Sequence, residues 1–150
     1  MLDELLDEIF CEFGYFEEKN HSLYFEGADG AEKIRRLLIS YDKSPPRQML
    51  DSAITRVRNF EKDTIRDSDG DEVPKEKMLI FELADKTRIA VRGSGTEPKI
   101  KYYLFGARLP ADGKLSRKEL ARARAEIDHR LDALWDWLQA DAHARLGENK

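Results

Sequence analysis

Between residues 92 and 98 the chain reads Arg92-Gly-Ser-Gly-Thr-Glu-Pro98, the one segment whose residue types and spacing suit the capture of an anion. Two glycines let the backbone turn sharply and approach a ligand with no Cβ in the way. Ser94 and Thr96 bring hydroxyls, and successive backbone N–H groups in such a turn form a concave nest for negative charge. Arg92 carries a planar fork matched to bidentate contact with a phosphate. Lys99 and Lys101 alternate onto one side of the run that follows. A dianionic phosphate held there meets several donors and two or three positive charges. The same spacing also fits a glycine-rich hairpin turn with an incidental arginine, and residue types alone leave both readings open. A Walker loop is excluded, because no Gly-Lys-Ser/Thr and no helical pattern follow.

Other chemistry-bearing residues lead less far. Asp67-Ser-Asp-Gly-Asp-Glu72 has metal-loop composition, but an EF-hand needs its glycine at position six and its closing glutamate at twelve. The segment reads as a solvated hairpin loop. His129 and His143 have no second ligand at zinc spacing, so no metal site is assigned. Trp135 and Trp137 lie two apart on a helical pattern; Trp135 is expected at the core and Trp137 at its rim. Cys11 is the single cysteine, which excludes an internal disulfide and favours a reducing compartment. With 26 Lys+Arg against 30 Asp+Glu the net charge is -4, so nothing in the overall field attracts nucleic acid. The longest apolar runs fall far short of the ~20 residues of a membrane span, and the acidic N-terminus lacks a signal peptide's basic region. The expectation is a cytoplasmic protein that binds neither membrane nor nucleic acid.

The elements that must position the 92–98 loop follow from periodicity. Leu2, Leu5, Leu6, Ile9, Phe10 and Phe13 make a wide apolar helical stripe that Gly14 ends, and a stripe so broad needs a partner surface. A polar link over 17–22 and a short extended run over 23–25 lead to a second helix. Asp29 is its candidate N-cap, Ile34, Leu37, Leu38 and Tyr41 share its face, and Pro45-Pro46 terminates it. Strands are predicted over 53–60, 78–84, 88–92 and 99–105, with Asp85-Lys-Thr87 as a hairpin loop. Ser116 and Glu119 form a capping box for a last helix, along which Leu120, Ala123, Ile127, Leu131, Leu134 and Leu138 recur at steps of three and four. The fold class is α+β: an antiparallel sheet of about four strands packed against helices.

The loop and its continuation, Lys-Ile-Lys-Tyr-Tyr103, closely resemble the C-terminal phosphate-binding loop of the α-D-phosphohexomutases, the phosphoglucomutase and phosphomannomutase enzymes. The likeness extends over nearly the whole chain. The Ile-Phe-x-x-Phe-Gly-Tyr15 ending of the first helix is similar to the helix that closes the third domain of these enzymes, and 27–46 resembles the opening of the fourth. The resemblance therefore implies a division into residues 1–20, a terminal helix of the preceding domain with its linker, and 21–150, a C-terminal phosphate-binding domain with a fold like the TATA-box-binding protein. It implies that Arg92, Ser94, Gly95, Thr96 and Lys101 clamp the non-reacting phosphate of a phosphosugar, a hexose or pentose phosphate. Elsewhere in the enzyme a phosphoserine transfers its phosphoryl group through a bisphosphorylated intermediate.

Two departures stand inside the match. Gly93 replaces the family's usual Pro, Ala or Thr, and Leu104-Phe-Gly106 replaces a frequent x-Glu-Ala. The phosphoserine loop, the Asp-Gly-Asp-x-Asp-Arg metal loop and the Gly-Glu-Glu-Ser-Gly sugar loop have no counterpart here; His21-Ser22 lacks the flanks of the first, and the acidic run lacks the third Asp and the Arg of the second. The resemblance thus implies a chain inactive alone, with no cofactor of its own, Mg²⁺ bound by the complete enzyme, and the upstream domains as partners. The wording of the match is most like the longer glucose- and pentose-phosphate enzymes. A stand-alone phosphate-binding module and a scaffold that self-associates through its first helix are the alternatives.

Overall fold

In the computed structural model, residues 2–72, 75, 77–94 and 96–148 are described. Helix α1 (Leu2–Phe13) is followed by β1 (Tyr15–Tyr24), α2 (Gly30–Lys43), β2 (Gln48–Met49), β3 (Ser52–Asn59), β4 (Met78–Leu83), β5 (Arg88–Gly93), β6 (Lys99–Arg108) and the long α3 (Arg117–Arg145). The six strands form one antiparallel sheet in the order β1-β6-β5-β4-β3-β2. The class is α+β as expected, with two more strands than the four predicted. The tiny β2 is one. The other is β1, which corrects the reading of 17–22 as a polar link: Tyr15 to Tyr24 pair with β6 along their whole length, Tyr15 opposite Arg108 and Tyr24 opposite Lys99. The division at residue 20 therefore falls inside a strand.

Alternation sorts the sheet into two faces. Leu79, Phe81 and Leu83 of β4, Ile89 and Val91 of β5, and Ile100, Tyr102 and Leu104 of β6 are buried toward the helices. They meet Ile34, Leu37 and Tyr41 of α2 and the Leu120-to-Leu138 stripe of α3 in one core. Gly106 belongs to this face: a Cβ there would lie 2.5 Å from Ile127 Cγ2, so the absence of a side chain lets α3 approach β6. Ser116 caps α3, its Oγ accepting the Glu119 N–H at 3.0 Å. Asp29 precedes α2 as expected, but its side chain makes no capping bond.

At the heart of the core the hydroxyls of Tyr41 and Tyr102 share a hydrogen bond of 2.8 Å, both residues fully buried. Arg145 lies over the Tyr41 ring at 4.9 Å and donates to the Ser40 carbonyl, the Ser40 hydroxyl and the Ser44 carbonyl. It thereby ties the end of α2 to α3, adding to the Ser44 N–H that the Ser40 carbonyl already accepts.

In the middle of β1, between the apolar Tyr15 and Leu23, the helix-facing residues are polar. Lys19 bridges Asp128 and Asp132 of α3, each at 2.7 Å. His21 stacks on Trp135, ring centroids 4.5 Å apart and nearly parallel, and its buried Nε2 has no hydrogen-bond partner among the described residues. Burial pushes the imidazole pKa down; Asp132 opposes the shift and Lys19 adds to it. The unfolded chain therefore takes up the proton first, at about pH 6.5. This contribution to stability is complete above that pH and declines as the pH falls toward the lower folded value. Urea unfolding at pH 7.5 and 5.5 is expected to show a loss on acidification that is smaller in His21→Phe, which keeps the stack and removes the titration. An identical pH slope in the two proteins would contradict this.

Helix α1 lies across the N-terminal part of α3, with Asp7 bridging Arg117 at 3.3 Å and Arg124 at 2.9 Å and the Leu115 N–H bonding the Cys11 carbonyl. Cys11 is buried, whereas Leu2, Leu5, Leu6, Ile9 and Phe13 remain exposed, Leu2 by 70 % and Phe13 by 63 %.

Candidate functional site

The loop after β5 is a tight hairpin. The Ser94 N–H bonds the Lys99 carbonyl at 3.0 Å, and the Lys99 N–H bonds that of Glu97 at 2.8 Å. Ser94 Oγ accepts from the amides of Thr96 and Glu97 at 3.4 and 3.3 Å. Two successive amides thus converge on one hydroxyl through long bonds, and the Ser94 O–H proton is left to donate. The loop is tethered from outside. The Phe25 N–H bonds the Pro98 carbonyl at 2.9 Å, and the space a Cβ at Gly30 would take is filled by the Phe25 carbonyl and Pro98. Gly30, the first residue of α2, is a positioning residue that the sequence reading did not single out.

Which face the site uses is fixed by Gly93. A Cβ there would touch Ile34 and Leu38 of α2 at 3.5 Å, so Gly93 faces the helices and Arg92 faces away. This backbone is not in the left-handed region, and nothing in it demands glycine.

On the face away from the helices Arg92 stands directly opposite Lys101. Two like charges in that relation cost stability rather than add to it. Arg92 is exposed, Lys101 half-buried, and neither has an acidic partner among the described residues. Most of the neighbouring cations do have one. Arg56, Arg58 and Arg88 gather around Glu82 at 3.9, 3.5 and 3.7 Å, and Lys99 pairs with Glu97 at 3.1 Å above the Tyr24 ring. That Glu97 contact raises the Lys99 pKa. Of the predicted site residues, then, Arg92 and Lys101 come together, Ser94 closes the hairpin beside them, and Thr96 is exposed on the loop. Gly95 lies outside the described residues.

A concavity of about 890 Å³ lies at the other end of the same face, among Phe16, Ile80, Phe105 and Leu109 with Arg58 and Arg88. It includes no residue of the 92–101 hairpin, and its guanidiniums already share Glu82. Among the described residues no three His, Cys, Asp or Glu side chains come together to hold a metal ion. The acidic run 67–72 is a hairpin, with Arg66 bridged to Glu72 and Asp67 Oδ1 accepting the amides of Asp69 and Asp71. Among the described residues no donor set fits the Mg²⁺ that the family resemblance implies. Nor is any helix among the described residues long and apolar enough to cross a membrane.

No family model matches the chain. It is 33 % identical over 109 residues to a phosphoglucomutase of Staphylococcus epidermidis, covering 69 % of this chain and 20 % of the relative. It is 32 % identical over 111 residues to a phosphoglucomutase of Staphylococcus aureus, covering 69 % and 19 %. Among solved structures, the open form of the exocytosis-sensitive phosphoprotein pp63/parafusin of Paramecium, a phosphoglucomutase, covers the whole chain and 24 % of its own length at 15 % identity and a TM-score of 0.47. The chain spans about a fifth of the length of the relatives it matches. With a third of the residues shared over more than two-thirds of the chain, it belongs to the phosphohexomutases, as the counterpart of one part of a phosphoglucomutase.

Proposed function

We propose that this chain is the phosphate clamp of a phosphoglucomutase-type enzyme: Arg92 and Lys101, with the hydroxyls of Ser94 and Thr96 and the loop that contains Gly95, hold the phosphate of a phosphosugar that is not reacting. The observation that carries the reading is the pair of cations placed side by side with no carboxylate partner among the described residues. A dianion inserted there relieves their repulsion and receives charge-assisted hydrogen bonds from both. The Ser94 O–H donates to it as well.

Such a clamp does no covalent chemistry. It turns binding energy from a remote group into orientation of the sugar, which helps an in-line phosphoryl transfer carried out by other parts of the enzyme. A phosphosugar whose two ends react in turn must bind in two orientations, and a site that reads only a dianion serves both. Helix α1 is proposed to be the last helix of the preceding domain, its exposed apolar stripe covered by upstream parts of the same protein.

Calorimetric titration tests the reading. Glucose 1-phosphate and glucose 6-phosphate are expected to bind the chain with affinities within about threefold of each other, and unphosphorylated glucose not at all. The chain alone is expected to interconvert the two phosphates no faster than a blank. Binding of glucose equal to that of its phosphates, or turnover by the chain itself, would overturn the proposal.

A further inference from the structure

Strand β1 brings a second set of polar side chains onto the face that carries Arg92 and Lys101. Residues directly opposite in a sheet share a face. Ser22 stands opposite Lys101, and Lys101 opposite Arg92, so the three form one row across β1, β6 and β5. The strand's own alternation agrees. His21 points to α3, where it stacks on Trp135, so Ser22 points the other way, as does Tyr24 beside Lys99. Ser22 is half-buried, and its hydroxyl makes no hydrogen bond among the described residues. One row further along, Asn20 stands opposite Tyr103. The exposed Asn20 carboxamide is likewise without a hydrogen bond among the described residues, and the Tyr103 ring is half-buried.

We infer that β1 forms the second wall of the anion site: Ser22 donates its hydroxyl to the phosphate held by Arg92 and Lys101, and Asn20 with Tyr103 receives the body of a phosphate ester of a polyhydroxylated compound. The inference rests on the clamp reading and extends it to residues outside the hairpin. Across the row Arg92–Lys101–Ser22, neighbouring Cβ positions lie about 5 Å apart. A tetrahedral anion above Lys101 is thereby within reach of a guanidinium on one side and a hydroxyl on the other. Hydroxyl donation is suited to this position, because a third cation would add repulsion in the empty site and a carboxylate would occupy it. The next row, 3.4 Å per residue along an antiparallel strand and two residues on, offers an amide that both donates and accepts and the edge of a phenol. Those groups pair with hydroxyls and offer little to an alkyl or aryl body.

The test is a set of titrations with inorganic phosphate and glucose 1-phosphate on the wild-type chain, Arg92→Ala, Ser22→Ala, Ser22→Thr and Asn20→Ala. Ser22→Ala is expected to weaken both ligands about fivefold, as befits one partly hydrated hydrogen bond to an anion, with recovery in Ser22→Thr. Asn20→Ala is expected to weaken glucose 1-phosphate about threefold and leave inorganic phosphate unchanged. Failure of Arg92→Ala to weaken phosphate would overturn the clamp reading and this inference together. Phosphate affinity lost in Arg92→Ala but unchanged in Ser22→Ala would overturn the inference alone. Equal thermal melting of the variants separates a contact from a folding defect, since both side chains lie outside the core.

Discussion

Arg92→Ala should weaken phosphate binding at least tenfold while leaving the fold as stable as before or slightly more so. The two effects have opposite signs for one physical reason. Without ligand, Arg92 and Lys101 face each other across adjacent strands with no carboxylate partner among the described residues, so removing one cation relieves repulsion worth about 0.2–1 kcal/mol. Salt screening and the exposure of Arg92 place the gain toward the lower end. In the filled site the same guanidinium gives charge-assisted hydrogen bonds of about 1.5–3 kcal/mol each. Partial hydration leaves a net loss of at least ~1.4 kcal/mol on truncation, a factor of ten in affinity. Titration calorimetry measures the first effect and urea unfolding the second. A variant that loses binding together with several kcal/mol of stability would mean that Arg92 is structural.

Tyr102→Phe is expected to destabilise the fold by about 1–3 kcal/mol although it removes one oxygen atom and no packing. The Tyr41 hydroxyl has its 2.8 Å partner in Tyr102, both rings are fully buried, and burial drives both phenol pKa values upward. Taking one hydroxyl away leaves the other desolvated and unpaired. Tyr41→Phe carries the same penalty for the same reason. The double variant Tyr41→Phe/Tyr102→Phe should then cost clearly less than the sum of the two singles, because it leaves no orphan. Strict additivity, or single variants that cost nothing measurable, would show that the pair is not an energetic unit.

The parts of the fold legible in the sequence are those whose burial pattern is one-sided and apolar. Helix α3 announces itself by Ser116, Glu119 and the leucines that do lie in the core. Strands β4 and β6 alternate cleanly because one face meets helices and the other is open, while β5 also buries the small Ala90. Strand β1 is legible only at its end, in the extended run at 23–25, because its helix-facing positions before that hold Glu17, Lys19 and His21, whose neighbours are the carboxylates and the tryptophan of α3 rather than aliphatic side chains. Its pairing partner, β6, is also more than 70 residues away, and no local turn chemistry marks so distant a pairing.

The site divides in the same way. Arg92 and Lys101 are readable because hairpin alternation alone puts them on one side. Ser22 is not readable, since its position depends on the β1–β6 register, and the bare His21-Ser22 dipeptide carries no motif. Gly30 shows its role only once Phe25 and Pro98 are seen to fill the space of its missing side chain.

The clamp is tested most directly by an amide-resolved titration of the ¹⁵N-labelled chain with inorganic phosphate at low salt. Shifts centred on Arg92, Ser94, Thr96, Lys101 and Ser22, saturating together and absent in Arg92→Ala, are the predicted result. Shifts centred instead on Arg58, Glu82 and Arg88 in the larger concavity, or none at tens of millimolar phosphate, would contradict the account.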